Sequence, residues 1–232
     1  MMIIKGFAKL TLLDYPGRVA CTVFTGGCNF RCPFCHNASL AIRAHQVDTI
    51  PESEVFELLK KRKGILDGVC ITGGEPLLFG DELYDFISEI KKLGYAVKLD
   101  TNGSFPERLA ALIGAGLVDK VAMDIKNSPE KYALTVGVES FDIDHIIKSV
   151  ELLKSSGVDY EFRTTVVKEL HSASDFEEIG KMIEGAKAYF LQSFVDSGDL
   201  IGEGLSAPTA EDMETYRKIA AKYVPSTKIR GL

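Results

Sequence analysis

The chain alternates apolar, β-branched segments with segments of helical periodicity six times, and this alternation restricts its fold more than any other feature. The six predicted strands lie at residues 19–25, 68–72, 96–100, 120–125, 160–167 and 188–194. Strict alternation of strand and helix predicts parallel strands joined by right-handed crossovers. Six such units can form either a partial barrel or an open doubly wound sheet, so the class is α/β.

Helical segments follow each predicted strand. The predicted helices lie at residues 52–63, 81–93, from Pro106 onward, at 143–155, after Ser174, and at 210–223. Ser174 and Glu177 have the spacing of a capping box, which predicts that the fifth helix begins just after Ser174. No low-complexity segment or Pro/Gly/Ser-rich linker interrupts the 232 residues. The whole chain, 1–232, is therefore predicted to be a single domain.

The charge balance and the apolar runs limit the partners of the chain. Lys and Arg total 27 against 33 Asp and Glu, a net charge of −6. This lacks the broad basic field that favours nucleic acid or anionic membranes. No uncharged apolar run reaches the about 18 residues of a membrane span, and the N-terminus does not read as a secretory signal. We expect a cytoplasmic protein with neither nucleic acid nor membrane as a partner.

Polar and glycine-rich segments follow the predicted strands at their carboxyl ends. A cysteine cluster follows the first strand, residues 72–76 end the second, residues 100–103 end the third and residues 124–126 end the fourth. Both partial barrels and doubly wound sheets place their active sites at these strand ends. The sequence therefore predicts a functional site at this edge of the sheet.

Three cysteines lie within eight residues in the spacing C-x3-C-x2-C, at Cys28, Cys32 and Cys35. Thiolates are soft ligands that suit zinc or iron–sulfur clusters. A structural zinc site needs four ligands, and His36 lies too near Cys35 to be a comfortable fourth. Three thiolates on a four-iron cluster would leave one iron open to a substrate or cofactor. The two remaining cysteines lie inside predicted strands and are expected in the core.

The cysteine spacing, with an aromatic residue at Phe34, resembles that of the radical S-adenosylmethionine (radical SAM) superfamily. The resemblance implies a partial (β/α)6 TIM-like barrel with one [4Fe–4S] cluster on Cys28, Cys32 and Cys35. It also implies that the open iron binds the amino and carboxylate groups of SAM. An electron from the reduced cluster then cleaves the sulfonium to give a 5′-deoxyadenosyl radical, chemistry that the cofactor carries.

Gly73, Gly74 and Glu75, at the end of the second predicted strand, match the next motif of that family. Glycines allow positive φ and close backbone approach. The resemblance implies that this strand end and the Glu75 carboxylate hold the methionine moiety of SAM.

Other segments resemble the activating enzymes of glycyl-radical enzymes, above all those of anaerobic ribonucleoside-triphosphate reductase and of pyruvate formate-lyase. They are Cys-His-Asn at 35–37, residues 13–17, residues 99–103 and residues 123–126. The resemblance covers nearly the whole chain. It departs at the sixth strand, which lacks a His that pyruvate formate-lyase activase has nearby. The sequence contains no further set of clustered cysteines, so a single cluster is expected.

The activase resemblance implies roles for further residues. It places Phe34 and His36 against the adenine of SAM, and it assigns Lys126 and Arg163 to the SAM carboxylate. Together with that carboxylate, three oxygen-bearing residues resemble a set that can bind a monovalent cation: Asp100, Thr101 and Asp124.

The same resemblance implies the partners. Asp14 is expected to contact the substrate peptide of a glycyl-radical enzyme similar to anaerobic ribonucleotide reductase, and a flavodoxin or ferredoxin would donate the electron. Two alternatives stay open: a radical SAM enzyme acting on a small molecule, of the 7-carboxy-7-deazaguanine synthase type, and a zinc-stabilised binding module.

Overall fold

The computed structural model describes residues 2–231, and these residues divide into two compact units. Of the described residues, unit 1 contains 2–29, Ser39–Thr101 and Glu107–Val121, and unit 2 contains Phe30–Ala38, Asn102–Pro106 and 122–231. The boundary between the units lies inside the cysteine segment: Cys28 belongs to unit 1, and Cys32 and Cys35 belong to unit 2. The prediction of a single domain stays a prediction.

Unit 1 contains four strands that lie side by side in chain order. These strands are β1 (Ile4–Thr11), β2 (Ala20–Thr25), β3 (Gly68–Gly73) and β4 (Ala96–Thr101). β1 pairs with β2 in the antiparallel sense, whereas β2, β3 and β4 are parallel to one another. The interior of β3 and β4 contains fully buried aliphatic residues, Val69, Ile71, Val97 and Leu99, as expected for parallel strands covered on both faces.

Four helices accompany these strands. They are α1 (Ala38–Ile42), α2 (Glu52–Lys61), α3 (Asp81–Lys92) and α4 (Pro106–Gly114). In α3 the buried residues Leu83, Phe86, Ile87 and Ile90 recur at helical spacing. Acidic residues occupy its first turn and lysines its last turn, which complements the helix dipole. This helix shows why the periodicity in the sequence was a sufficient guide to its position.

Unit 2 contains the remaining elements, except that β5 begins in unit 1 and ends in unit 2. They are β5 (Lys120–Asp124), α5 (Tyr132–Val136), α6 (Asp144–Ser155), β6 (Asp159–Val166), α7 (Ala173–Met182), β7 (Tyr189–Ser193), α8 (Ala210–Ala220) and β8 (Lys228–Arg230). β6, β7 and β8 lie side by side as parallel strands. No helix among the described residues is long and apolar enough to cross a membrane.

All six predicted strands are present as β2 to β7, with ends within one residue or so of the predicted ones. Two further strands were not predicted. β1 is an antiparallel edge strand outside the βα repeat, and β8 is only three residues long, too short to leave a periodic signal. The α/β class and the alternation are confirmed.

The predicted capping box of α7 is wrong by two residues. The N-cap is Ser172, and its backbone N–H donates to Oδ2 of Asp175 over 2.8 Å. Ser174 lies inside the first turn. A serine followed three residues later by an acidic residue occurs twice, as Ser172 with Asp175 and as Ser174 with Glu177. The sequence is therefore compatible with two starting points for the helix. The structure uses the first, in which Asp175 is buried.

Candidate active site

The Gly-Gly-Glu segment at the end of β3 forms a tight backbone contact with the end of β2. The N–H of Gly74 donates to the carbonyl of Thr25 over 2.9 Å, and the N–H of Glu75 donates to the carbonyl of Gly27 over 2.8 Å. Gly73 has φ +118°, a conformation that favours glycine. These bonds fix the backbone immediately before Cys28.

Neither glycine leaves room for a side chain. A Cβ at residue 73 would lie 2.3 Å from the backbone nitrogen of Thr25. A Cβ at residue 74 would lie 1.8 Å from the carbonyl oxygen of Gly27. The two glycines are therefore required by the close approach of two backbones, in addition to any role in binding a ligand.

Glu75 is buried, with 1% of its surface exposed, and its carboxylate is held in place from two sides. Oε1 accepts a bond from the Thr101 hydroxyl over 2.8 Å and another from the backbone N–H of Leu77 over 3.0 Å. Two predicted site residues, Glu75 just after β3 and Thr101 at the end of β4, are thus brought into direct contact.

Asp100 and Asp14 also have partners within unit 1. The buried ammonium of Lys98 forms an ion pair with Oδ1 of Asp100. The Thr22 hydroxyl donates to Oδ2 of Asp14 over 2.5 Å, which orients that carboxylate. Lys98 was not among the residues predicted for the site. A lysine at an interior position of a predicted buried strand was the signal that could have identified it.

Unit 2 brings together Asp124, Lys126 and Arg163. Nζ of Lys126 lies 2.9 Å from Oδ2 of Asp124, and Nε of Arg163 lies 3.0 Å from Oδ1. Burial disfavours the charge on Asp124, but the two cations outweigh it and lower the pKa of this carboxyl to about 2. Burial likewise disfavours the Lys126 ammonium, and the Asp124 carboxylate outweighs it and raises the pKa of Lys126. All three side chains are therefore ionised at neutral pH.

The lowered pKa of Asp124 predicts an acid-dependent loss of stability. A folded-state pKa of about 2 against an ordinary 3.8 contributes roughly 2 kcal/mol at neutral pH. Because the folded-state pKa is depressed, this contribution is complete above about pH 4 and is lost as the pH falls towards 2. We expect Asp124→Asn to be less stable than the wild type at pH 7, with the difference shrinking between about pH 4 and 2.

Urea unfolding at successive pH values measures this difference. Asp85→Asn, which removes an exposed carboxylate from α3, is the matched control and should show no such convergence. A stability difference for Asp124→Asn that stays constant from pH 7 to pH 2 would contradict the prediction.

Lys126 also faces the cysteine segment of unit 2. Its ammonium lies 5.9 Å from the centroid of the Phe34 ring and interacts electrostatically with Cys32. The backbone of Lys126 is held by His171, whose Nε2 bonds to the Lys126 carbonyl over 2.9 Å. His171 is buried, and burial lowers its pKa. His171 was not predicted to belong to the site, because no ligand spacing or periodicity marks it in the sequence.

Two loops of unit 2 hold the backbone around Cys32. The N–H of Arg31 donates to the carbonyl of Val136 over 2.7 Å, at the end of α5. The N–H of Gly202 donates to the carbonyl of Pro33 over 2.8 Å. Between these anchors the chain turns, with the N–H of Cys35 donating to the carbonyl of Cys32 over 3.1 Å.

The segment after β7 packs on His36. The rings of His36 and Phe194 are stacked, with centroids 5.7 Å apart and an interplanar angle of 30°. Partial burial and the Lys126 ammonium lower the pKa of His36. No pattern in the sequence indicated this contact with Phe194, which is an aromatic residue at the end of the sixth predicted apolar strand.

None of the five cysteines, all of which lie among the described residues, forms a disulfide bond. Cys21 and Cys70 lie fully buried in β2 and β3, as predicted. Cys32 is also buried, with 7% of its surface exposed, whereas Cys28 and Cys35 are partly exposed. Among residues 2–231 no group of three or more His, Cys, Asp or Glu side chains is arranged to hold a metal ion. The assignment of three thiolate ligands therefore stays a prediction, supported by the soft-ligand chemistry of cysteine thiolates.

The chain matches known proteins over most of its length. Residues 22–183 match the radical SAM superfamily. A protein of Methanocaldococcus jannaschii named as a glycyl-radical enzyme activating enzyme is 32% identical, over 99% of this chain and 96% of that protein. The pyruvate formate-lyase-activating enzyme of Listeria monocytogenes is 34% identical over 52% of each chain.

A solved structure shows the same fold. Streptococcus suis SuiB bound to S-adenosylmethionine has a TM-score of 0.68 and 16% identity, over 88% of this chain and 48% of that one. The partial TIM barrel predicted from the resemblance is confirmed. The radical SAM family uses a [4Fe–4S] cluster and SAM, so both cofactors follow for this chain. The chain therefore belongs to the radical SAM superfamily, and it is related along nearly its whole length to an activating enzyme of glycyl-radical enzymes.

Proposed function

We propose that this enzyme reductively cleaves SAM and generates a glycyl radical on a partner enzyme, an anaerobic ribonucleoside-triphosphate reductase. The observation that carries the proposal is the similarity to an activating enzyme over 99% of the chain. The proposal includes a flavodoxin or ferredoxin as electron donor and a cytoplasmic location, both expected from the sequence.

The three clustered cysteines are proposed as the ligands of one iron–sulfur cluster. Cys28, Cys32 and Cys35 would ligate it, because they are the thiols outside the strands, and soft thiolates suit iron–sulfur clusters. When bound and reduced, the cluster supplies the electron that cleaves SAM. The protein itself restrains the backbone of the cysteine segment. Gly27, Arg31 and Pro33 are each bonded through the backbone within their own unit, which limits movement of the ligands.

The SAM residues are proposed on charge and burial. In unit 1, Glu75 offers a buried carboxylate, fixed by Thr101, to an ammonium group. In unit 2, Lys126 and Arg163 both pair with Asp124, so two cationic side chains lie together where a carboxylate group is proposed to bind. Charge-assisted bonds of this kind are roughly twice as strong as neutral ones. Phe34 and His36 would provide the apolar surface for adenine.

The surface near Asp14 supports a peptide partner. Thr22 orients the Asp14 carboxylate, which can accept bonds from peptide N–H groups. The two preceding side chains, Leu12 and Leu13, are 67% and 86% exposed. Adjacent exposed leucines beside an oriented carboxylate suit contact with a polypeptide better than with a small polar molecule.

Electron paramagnetic resonance tests the proposal. The anaerobically reconstituted, reduced enzyme with SAM is mixed with an anaerobic ribonucleotide reductase, and a glycyl-radical signal is expected on that partner. Asp14→Ala should lower the signal more than it lowers SAM cleavage in the absence of the partner. Asp48→Ala, which removes an exposed carboxylate from the same unit, should change neither.

Other outcomes identify the alternatives. Turnover with a small molecule alone, and no signal on any glycyl-radical protein, would contradict the activase function and favour the small-molecule enzyme. Binding of zinc in place of iron and sulfide after reconstitution would favour the binding module.

A further inference from the structure

Three neighbouring strands of unit 1 contain a row of polar side chains that ends in a buried lysine, to which no role has been assigned. Thr22 of β2 pairs in register with Cys70 of β3, and Cys70 pairs in register with Lys98 of β4. Registered residues of parallel strands point to the same face of a sheet. Nζ of Lys98 lies 3.8 Å from Sγ of Cys70 and forms the ion pair with Asp100, two residues further along β4.

Lys98 is an unusual residue for this position. Only 2% of its surface is exposed, and its immediate neighbours on β4, Val97 and Leu99, are fully buried aliphatic residues. A buried ammonium is costly unless a carboxylate compensates it. Asp100 supplies that carboxylate, and 14% of its side chain remains exposed. The Lys98 ammonium is therefore held beside the Asp100 carboxylate, which remains partly accessible to solvent.

The carboxylates that resemble a monovalent-cation site are thus already neutralised by the chain itself. In unit 1, Asp100 is bound by Lys98. In unit 2, Asp124 is bound by Lys126 and Arg163. An alkali cation at Asp100 would have to displace the Lys98 ammonium or lie beside it, and like charges at such a distance repel. The residues present do not fit a separate monovalent cation at Asp100.

We propose that the Lys98 ammonium takes the place of a dissociable alkali cation at Asp100, so that SAM binding by this enzyme is independent of sodium and potassium. An ammonium group carries the same single charge as these ions and donates up to three hydrogen bonds to oxygen. Because it is covalently attached, it pays no entropy of association. The inference rests on the proposed SAM-binding function, and Lys98 acts as a positioning residue for Asp100.

Equilibrium dialysis of SAM with the cluster-loaded enzyme tests the inference. Binding is measured in tetramethylammonium chloride and in potassium chloride at equal ionic strength. We expect the wild type to bind SAM equally in both, within about twofold. Lys98→Met should bind SAM at least about tenfold more weakly in tetramethylammonium, and potassium should largely restore it, since one charge-assisted contact is worth about that factor.

Two further variants serve as controls. Lys91→Met removes the lysine of another ion pair of unit 1, with Asp119, and should leave SAM binding independent of potassium. The double variant Lys98→Met/Asp100→Asn removes both charges and should lose the response to potassium. If Lys98→Met does not fold, Lys98→Gln replaces it, because the amide of glutamine can still bond to Asp100.

A second readout does not depend on SAM or the cluster. The midpoint of thermal unfolding of cluster-free Lys98→Met should rise on titration with potassium but not with tetramethylammonium, because a ligand bound only by the folded state stabilises it. The wild type should show no such difference. A wild type that binds SAM only with potassium present would overturn the Lys98 inference and leave the proposed function intact. A wild type that binds no SAM under any salt would overturn both.

Discussion

Alanine in place of Cys28, Cys32 or Cys35 is expected to remove the iron–sulfur cluster almost completely. Each of these thiols would supply one of only three protein ligands, so the loss of one leaves two irons without protein ligands. The measurement is the iron and acid-labile sulfide content per chain after anaerobic reconstitution. Glycyl-radical formation and SAM cleavage should be lost with the iron.

Cys21→Ala and Cys70→Ala are the matched controls. Both thiols are fully buried in strands, and their removal should cost only about 1 kcal/mol of stability through lost packing. Both variants should keep the full iron content. Loss of iron from Cys21→Ala or Cys70→Ala as complete as that from Cys32→Ala would show that the ligand assignment is wrong.

Gly74→Ala is expected to be the most destabilising of the small substitutions near the site. The added Cβ would lie 1.8 Å from the Gly27 carbonyl oxygen, so one of two backbones must shift. The shift would also break the bond from the Glu75 N–H to that carbonyl. Overpacking and the lost bond together are expected to cost about 3 kcal/mol, or a fall of roughly 6–12 °C in Tm for a chain of this size.

Gly114→Ala provides the control, because it adds the same methyl group to unit 1. No heavy atom lies within 4 Å of a Cβ at residue 114, at the end of α4. We expect its Tm to stay unchanged or to rise, since alanine favours a helix over glycine by up to about 1 kcal/mol. Differential scanning calorimetry of both variants makes the comparison, and equal Tm values would refute the steric argument for Gly74.

The sequence was most informative where a local pattern is repeated. The helical spacing of Leu83, Phe86, Ile87 and Ile90 placed α3 almost to the residue. The six predicted strands, β2 to β7, were identified because each is a short apolar run bounded by turn residues. The cysteine spacing and the Gly-Gly-Glu segment led to the superfamily, because both are short, contiguous motifs.

Local patterns failed where two registers or very short elements competed. Ser172 and Ser174 are both acceptable N-caps, and only the buried Asp175 decides that α7 begins after Ser172. β8 is three residues long, and its existence depends on pairing with β7 rather than on its own composition. Such choices are made by packing energies that a single segment does not contain.

The amino-acid sequence by itself determined the α/β class, the order of the strands, the strand ends that carry polar chemistry and the superfamily, because each is written in contiguous residues. Only the tertiary structure decided which charges meet. Lys98 forms an ion pair with Asp100, and Asp124 forms ion pairs with two cationic side chains. The ring of His171 forms a hydrogen bond with the carbonyl of Lys126, 45 residues away in the sequence. Hydrogen bonds and ion pairs depend on distances of about 3 Å between atoms far apart in the chain, and no spacing in the sequence encodes those distances.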